Sequence, residues 1–243
     1  MQGGCRLLFM GPDSPPRGPG YEAVWIPLIA VEPVEGSSRE LLSQAGPGDV
    51  IVFTSPRAPR ILALDAVKLG IYNDIVELVR RSTVGVVGPS TLKSLNSHLG
   101  KPRSIVMPPS GYTVRALAST LASMNPGRVV AARASRASPI LREVLASGGV
   151  ELVEVTVYRN EPLPGNAAVA ASLIAGGTVD YALFTSPMQA TLVAPKLHEP
   201  KARLAAIGPE TGRVLEAHGL RYAMPREYTL ESLISATTSR CNR

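Results

Sequence analysis

Cysteine is scarce in this chain. Among 243 residues there are only two, Cys5 and Cys241, close to opposite ends of the sequence. They lack the paired spacing of a zinc site or a redox motif. We therefore expect two free thiols. The alternative is a disulfide between the two ends, since some intracellular proteins of thermophiles contain disulfides.

Long hydrophobic runs are also missing. No segment approaches the roughly 20 apolar residues that span a bilayer. Residues Met1 to Gly4 lack the basic and apolar regions of a signal peptide. The sequence therefore predicts a cytoplasmic protein with no membrane partner.

Aromatic residues and basic runs are too few for a nucleic-acid interface. Aromatics make up 5% of the chain, and the Lys and Arg residues behind its net charge of +6 are scattered, with no run beyond pairs such as Arg80-Arg81. Such an interface needs stacking rings or a basic stripe, so we expect no nucleic-acid partner. The charge favours a polyanionic small molecule or an unspecialised basic surface.

The usual signatures of catalysis are absent. The sequence has no phosphate-binding P-loop, no dinucleotide glycine fingerprint, no nucleophile elbow and no cluster of metal-ligand residues. We expect no metal and no cofactor. An enzyme of this kind would work by shaping and orienting its substrate.

Three short motifs each occur twice, in the same order. Their recurrence predicts two related α/β units whose matching loops face one cleft. The motifs are Phe-Thr-Ser-Pro at 53–56 and 184–187, Gly-Pro-x-Thr at 88–91 and 208–211, and Met-Pro with a following Tyr-Thr at 107–113 and 224–229.

Short apolar runs alternate with helical patterns, which is typical of parallel sheets flanked by helices. Ser37 and Glu40 have the spacing of a capping box that begins a helix. The predicted strands are 5–10, 23–29, 49–54, 84–87, 104–107, 128–132, 151–158, 180–184, 203–207 and 221–223.

The path of the chain between the two units stays open at this point. A weaker similarity relates residues 6–33 to 127–162, so that a short piece, a long piece, a short piece and a long piece follow one another. Each unit needs one of each, and both contiguous and interleaved pairing satisfy this. In the interleaved version the chain crosses near residues 31–36 and 155–165, and these segments pair as a two-stranded hinge.

The repeated loops are the candidate binding site. Ser55 and Ser186 follow apolar strands and precede helices, as do Thr91 and Thr211. Ligands of open parallel sheets bind beyond the carboxyl ends of the strands, and helix N-termini attract carboxylates and phosphates. We interpret the four loops as an anion site; the alternative is that each hydroxyl only caps its own helix.

Together these segments resemble the uroporphyrinogen-III synthase family. The resemblance covers nearly the whole chain from about Asp49, and its most specific parts are the paired FTS and GP-x-T loops and the segment RASRASPILREVLASGGVELVEVTVYRNEP. It implies an interleaved pair of α/β lobes joined by a two-stranded β-ladder. The first lobe would comprise 1–33 and 165–243 and the second 37–155, with hinge strands at 31–36 and 155–165.

The reaction that the resemblance implies belongs to porphyrin and heme biosynthesis. A lyase of this family closes the linear tetrapyrrole hydroxymethylbilane to uroporphyrinogen III, with loss of water and inversion of ring D. The substrate carries eight carboxylates, which suits helix N-termini and an excess of positive charge. We expect a monomer, because an open cleft needs movement of the lobes.

The resemblance also assigns roles to single residues. Tyr158 matches the family's cleft tyrosine and is the candidate for assisting departure of the hydroxyl group, the alternative being a phenol that only packs. The remaining candidates would bind the acetate and propionate groups of the substrate. They are Ser55, Arg57, Thr91, Arg133, Arg136, Ser186 and Thr211.

One segment departs from the family pattern. A helix usually follows the first strand, whereas residues 11–20 here contain too many prolines and glycines for one, so we expect a loop. Two other classes remain open: a non-catalytic two-lobed binding protein for a polyanionic small molecule, and a nucleic-acid regulator. Only the enzyme would convert hydroxymethylbilane to the III isomer.

Overall fold

A computed structural model describes residues 4–241 of the chain. Residues 1–3, which belong to the expectations about the start of the chain and the first lobe, lie outside this range, as do 242 and 243. The chain divides into two compact units. One comprises the residues up to Ala30 and from Glu161 onward, and the other is Val31–Asn160.

The first unit contains a four-stranded parallel sheet in the order β10-β9-β1-β2. The two inner strands, β9 and β1, are strongly apolar and almost entirely buried, as expected when helices cover a parallel sheet. The elements are β1 (Cys5–Phe9), β2 (Tyr21–Trp25), α7 (Pro164–Gly176), β9 (Tyr181–Phe184), α8 (Pro187–Val193), a 3₁₀ turn (Ala194–Lys196), β10 (Arg203–Ala206), α9 (Pro209–Ala217) and α10 (Leu230–Cys241).

The second unit contains a six-stranded sheet in the order β3-β8-β7-β4-β5-β6. Strands β3 and β8 contain the two points at which the chain passes from one unit to the other. The elements are β3 (Ile29–Pro33), α1 (Ser37–Gln44), β4 (Val50–Phe53), α2 (Arg57–Lys68), α3 (Tyr72–Arg81), β5 (Thr83–Val86), α4 (Pro89–His98), β6 (Ser104–Val106), α5 (Val114–Met124), β7 (Arg128–Ala134), α6 (Ile140–Ser147) and β8 (Glu151–Pro162).

Strand β4 shows how the core of the second unit is built. Its side chains alternate between two hydrophobic clusters: Ile51 and Phe53 pack with helices α1 to α4, and Val50 and Val52 pack with α5 and α6. Successive side chains of a strand point to opposite faces, so a run of four apolar residues fills both layers. The predicted class, parallel α/β sheets flanked by helices, is confirmed.

The expected free thiols are wrong. Cys5, at the start of β1, and Cys241, at the end of α10, form a disulfide with their Cα atoms 5.7 Å apart. Helix α10 packs Leu233 against the cluster that contains Leu7 and Tyr181, and this packing brings the end of the helix to β1. The pair is 236 positions apart in sequence, so no local pattern could indicate it.

Three local expectations also need correction. The predicted strand 23–29 is two strands, β2 and β3, separated by a segment around Pro27, which has no N–H to donate to a sheet. Of the predicted strand 221–223, only Ala223 bridges to the sheet, opposite Ala205.

The loop expected at residues 11–20 is confirmed, since that segment contains no helix.

The capping box at Ser37 is the third correction. Gly36 is the N-cap of α1, and the hydroxyl of Ser37 is buried without a hydrogen-bond partner among residues 4–241. Asp65 of α2 caps this helix instead. Its carboxylate accepts hydrogen bonds from the N–H of Gly36 (2.9 Å) and from the N–H (2.8 Å) and hydroxyl (2.5 Å) of Ser38.

Along residues 4–241, no helix combines the length and apolar character needed to cross a bilayer.

Candidate functional site

The Thr-Ser-Pro loop of the first unit follows the carboxyl end of β9. The hydroxyl of Ser186 accepts a hydrogen bond from the N–H of Gln189 (3.4 Å), so this serine caps α8. The buried side chain of Gln189 in turn accepts a hydrogen bond from the N–H of Thr185 (2.7 Å). The loop is therefore fixed from within, and Ser186 lies half-buried at its edge.

The Gly-Pro-x-Thr loop of the same unit follows the carboxyl end of β10. Helix α9 begins at Pro209, and no side chain caps its first turn. The N–H groups of that turn therefore lack side-chain acceptors, and they carry the partial positive charge of a helix N-terminus. Thr211 lies in this turn and is buried. An anion is a suitable partner for such a helix start.

The two loops form one cavity of about 450 Å³. Ser186 and Thr211, both expected to bind substrate, line it together with Tyr228. Glu210 also lines this cavity and is exposed. Its carboxylate stabilises the start of α9 but repels a carboxylate ligand. The cavity therefore combines an uncapped helix start with one opposing charge.

The second unit repeats this construction at β4 and β5. The hydroxyl of Ser55 accepts a hydrogen bond from the N–H of Arg57 (3.2 Å). Helix α4 begins at Pro89 without a side-chain cap, and the buried Thr91 lies in its first turn. The hydroxyl of Ser94 donates to the carbonyl of Pro56 at 2.6 Å, which ties α4 to the Ser55 loop.

A tyrosine ring packs on the glycine of each Gly-Pro loop. A Cβ on Gly88 would lie 3.1 Å from the Cβ of Tyr112, and one on Gly208 would lie 3.4 Å from the ring of Tyr228. Both glycines have extended backbone, so close approach of the ring, rather than a left-handed conformation, favours glycine here. Tyr112 and Tyr228 are 50% and 59% exposed, which leaves ring surface open beside each helix start.

These tyrosines are site residues that sequence reasoning missed. The repeated Met-Pro and Tyr-Thr motif contains them, but it assigns them no role. The useful signal was that the same Tyr-Thr pair follows both Gly-Pro loops.

The end of β7 carries two of the expected arginines. Arg133 is 3% exposed and donates to a carboxylate oxygen of Glu154 (2.8 Å) and to the carbonyl of Ser138 (2.7 Å). Arg142 pairs with the other oxygen of Glu154. By contrast, Arg136 is exposed and has no ion-pair partner within residues 4–241. The guanidinium of Arg133 thus holds the loop that presents Arg136.

Tyr158 lies on β8 and is 4% exposed. Its side chain belongs to the hydrophobic cluster that contains Phe53 and Val157, and its carbonyl accepts a hydrogen bond from the N–H of Ser135 (3.0 Å). Arg57, the first residue of α2, is half-buried. The phenol of Tyr158 is therefore far less accessible than those of Tyr112 and Tyr228.

Among the described residues, one group has the donor types of a metal site. Ligand atoms of Cys5, Asp180 and Cys241 lie within 4.8 Å of one another. The two sulfur atoms are bonded to each other, and a carboxylate oxygen of Asp180 accepts a hydrogen bond from the N–H of Arg6 (2.7 Å). With the disulfide formed, this group does not offer a set of free thiolate ligands.

Comparison with known proteins identifies a family. A family model described as uroporphyrinogen-III synthase HemD matches residues 17–235. A curated protein from Methanothermobacter thermautotrophicus, named "Putative uroporphyrinogen-III synthase", is 29% identical over 236 residues, which cover 90% of this chain and 89% of that protein. A curated protein of the same name from Archaeoglobus fulgidus is 27% identical over 200 residues. The match covers 79% of this chain and 80% of that protein.

Solved structures agree on the fold. A crystal structure of a mutant uroporphyrinogen III synthase from Thermus thermophilus matches 98% of this chain and 99% of its own, with a TM-score of 0.63 and 19% identity. The crystal structure of uroporphyrinogen-III synthetase from Helicobacter pylori matches 98% of this chain and 99% of its own, with a TM-score of 0.64 and 14% identity.

Proposed function

Since the chain belongs to the uroporphyrinogen-III synthase family, we propose that it cyclises hydroxymethylbilane to uroporphyrinogen III, with loss of water and inversion of ring D. The substrate bears eight carboxylates, and the chain has a net charge of +6.

The observation that carries the proposal is the repeated construction of the two helix starts. Helices α4 and α9 each begin at the proline of a Gly-Pro step, and neither has a side-chain cap. Each helix start lies beside a loop that contains Ser55 or Ser186. An exposed tyrosine ring packs on the glycine of each Gly-Pro step. Free N–H groups suit acetate and propionate side chains. The rings of Tyr112 and Tyr228 suit the flat faces of pyrroles.

The chemistry needs little from the protein beyond positioning. The C–O bond of the hydroxymethyl group breaks, the oxygen takes up a proton and leaves as water, and an electrophilic azafulvene remains on the substrate. Ring D then attacks the azafulvene with the α-carbon that already bears the methylene shared with ring C, which gives a spiro intermediate. The bond from that carbon to the shared methylene breaks, the methylene bonds to the free α-carbon of ring D, and the proton of that carbon returns to the group that protonated the leaving oxygen, so that ring D is inverted. By holding the carboxylates of the substrate, the helix starts would favour this path over direct closure to isomer I.

We assign the proton donation to Tyr158, directly or through a water molecule. Arg57 and Arg136 would pair with substrate carboxylates. Arg133, which is committed to Glu154 and Ser138, would act by positioning Arg136. Thr91 and Thr211 would support the first turns of α4 and α9, in which they are buried.

The proposed reaction is tested by its product. The pure protein is mixed with freshly prepared hydroxymethylbilane, and the I and III isomers are separated by chromatography. We expect isomer III in excess over a buffer control. Only isomer I would contradict the proposal and favour the alternative, a non-catalytic binding protein for a polyanionic small molecule.

The role of Tyr158 is tested by Tyr158→Phe, which removes the hydroxyl and keeps the ring in the core. General-acid catalysis contributes about a hundredfold or more, so we expect a loss of kcat of that order. Tyr72→Phe is the matched control, because the hydroxyl of Tyr72 donates to the carbonyl of His98 elsewhere in the same unit. Wild-type turnover in Tyr158→Phe would remove this residue from the mechanism.

A further inference from the structure

A second cavity lies in the first unit, at the opposite end of β10 from the site described above. Its volume is about 570 Å³, and it is lined by the starts of β9 and β10, the segment before β10, the segment after α9 and the last turn of α10. The five basic residues that line it are His198, Lys201, Arg203, Arg221 and Arg240. The Ser186 and Thr211 cavity lies beyond the other end of the strand, and a four-residue strand spans roughly 13 Å.

The lining of this cavity carries no negative charge to offset its basic residues. No Asp or Glu is among the lining residues, and none of the five basic side chains forms an ion pair within residues 4–241. The hydrogen bond to Tyr181 raises the pKa of Arg203, and Asp180 adds a smaller effect at longer range. Several positive charges gathered in one concave site create a potential that attracts anions.

Arg203 is held in a defined position. Its Nη1 donates to the hydroxyl of Tyr181 (3.1 Å) and to the carbonyl of Arg240 (3.4 Å), and its guanidinium carbon lies 5.5 Å from the centre of the Tyr181 ring. These three contacts involve neutral partners. The guanidinium is therefore oriented without losing its charge, as an anion receptor requires.

The shape of the cavity favours a small molecule. Its volume falls within the range of about 300 to 1,000 Å³ that is typical of small-ligand sites. Leu204, Leu220 and Tyr222 contribute apolar lining. Tyr222 is fixed against α9, where a Cβ on Gly212 would come within 2.5 Å of its hydroxyl. A phosphate backbone of nucleic acid would instead need an extended basic stripe.

We propose that this cavity is a second, non-catalytic binding site for a small polyanion with at least two phosphate or carboxylate groups. Arg203 and Arg221 are its main anion contacts. The site is independent of the proposed cyclisation, since none of its residues belongs to the two helix starts or to Tyr158.

The test is isothermal titration of the full-length protein at low ionic strength with tripolyphosphate and, separately, with citrate. We expect saturable binding of one molecule per chain for at least one probe. Arg203→Gln and Arg221→Gln should each weaken it about tenfold, because each removes a charge-assisted contact. Arg213→Gln is the matched control, since Arg213 is exposed on α9 and does not line the cavity. It should change the affinity less than about twofold.

The two probes separate the sources of the anion. Tighter binding of tripolyphosphate assigns phosphate groups, and tighter binding of citrate assigns carboxylates; either supports the site. Absence of binding by both, or equal weakening in all three variants, overturns it. Tighter binding of a short single-stranded oligonucleotide, lost in the same variants, would overturn it in favour of nucleic acid.

Two checks keep the result interpretable. Arg203→Gln removes contacts to Tyr181 and Arg240, so its circular dichroism spectrum and urea midpoint are compared with those of the wild type. Should it fail to fold, Arg221→Gln decides the outcome alone, because the exposed Arg221 has no side-chain hydrogen bond within residues 4–241. Isomer III formation should be unchanged in Arg221→Gln, which separates this site from the proposed reaction.

Discussion

Replacing Cys241 with serine removes the covalent link between β1 and the end of α10. The disulfide joins residues 236 positions apart. In the chain-entropy model a cross-link of this span restricts the unfolded chain by about 5 kcal/mol. Helix α10 keeps its packing through Leu233 and Thr237, which are both buried. We therefore expect a folded variant whose free energy of unfolding falls by about 3 to 5 kcal/mol.

Urea unfolding monitored by circular dichroism measures this loss. The reductant dithiothreitol should lower the urea midpoint of the wild type and leave that of Cys241→Ser unchanged, so the wild type and the variant control each other. A thiol assay in denaturant should find no free thiol in the wild type and one in the variant. Two free thiols in the wild type, or a midpoint that does not respond to the reductant, would refute the reasoning.

Three further changes test the helix starts. Asp65→Asn should cost about 2 to 3 kcal/mol at neutral pH, because the carboxylate caps α1. Burial raises the pKa of Asp65, but the hydrogen bonds from Ser38 and Gly36 outweigh burial and leave it below its usual value. The stability it confers is thus present above the unfolded pKa and is lost as the pH falls through the folded value, so wild type and variant should converge below about pH 4. Glu210→Gln should lower KM for hydroxymethylbilane about two- to fivefold, since one like charge leaves the cavity. Gly88→Ala should raise KM several-fold, because the added methyl group would shift the ring of Tyr112 and weaken its contact with the substrate.

Each of these changes has a control. A stability difference for Asp65→Asn that stays constant down to pH 3 would contradict the capping role. Glu216→Gln, on the exposed face of α9 and outside the cavity, should leave KM unchanged. Gly208→Ala should have a smaller effect than Gly88→Ala, because its Cβ would meet the tyrosine at 3.4 Å rather than 3.1 Å. Equal KM values for Gly88→Ala and the wild type would remove Tyr112 from substrate binding.

Local signals predicted the elements that local physics determines. The run Val50–Phe53 is apolar throughout because helices cover both faces of its sheet, and it was predicted to within one residue at each end. The Gly-Pro steps likewise indicated the starts of α4 and α9. Pro27 was a sequence signal that the predicted strand 23–29 is two strands, since proline has no backbone N–H to donate to a sheet.

Features that depend on residues far apart in the sequence could not be predicted from local patterns. Asp65 caps a helix that begins 28 positions earlier, and its own position in α2 gives no sign of this. The disulfide depends on how α10 packs. The basic residues of the second cavity come from three separate segments of the chain. In the sequence they look like scattered surface charges. For the candidate site, the repeated motifs indicated Ser186 and Thr211, whereas the ring contacts of Tyr112 and Tyr228 required the structure.

The central proposal is that the uncapped starts of α4 and α9 each bind carboxylates of a tetrapyrrole. A crystal structure of the protein with bound uroporphyrinogen III tests it most directly. We predict carboxylate oxygens within about 3 Å of backbone nitrogens in the first turns of both α4 and α9. Carboxylates bound at only one of the two helix starts, or at neither, would contradict the account.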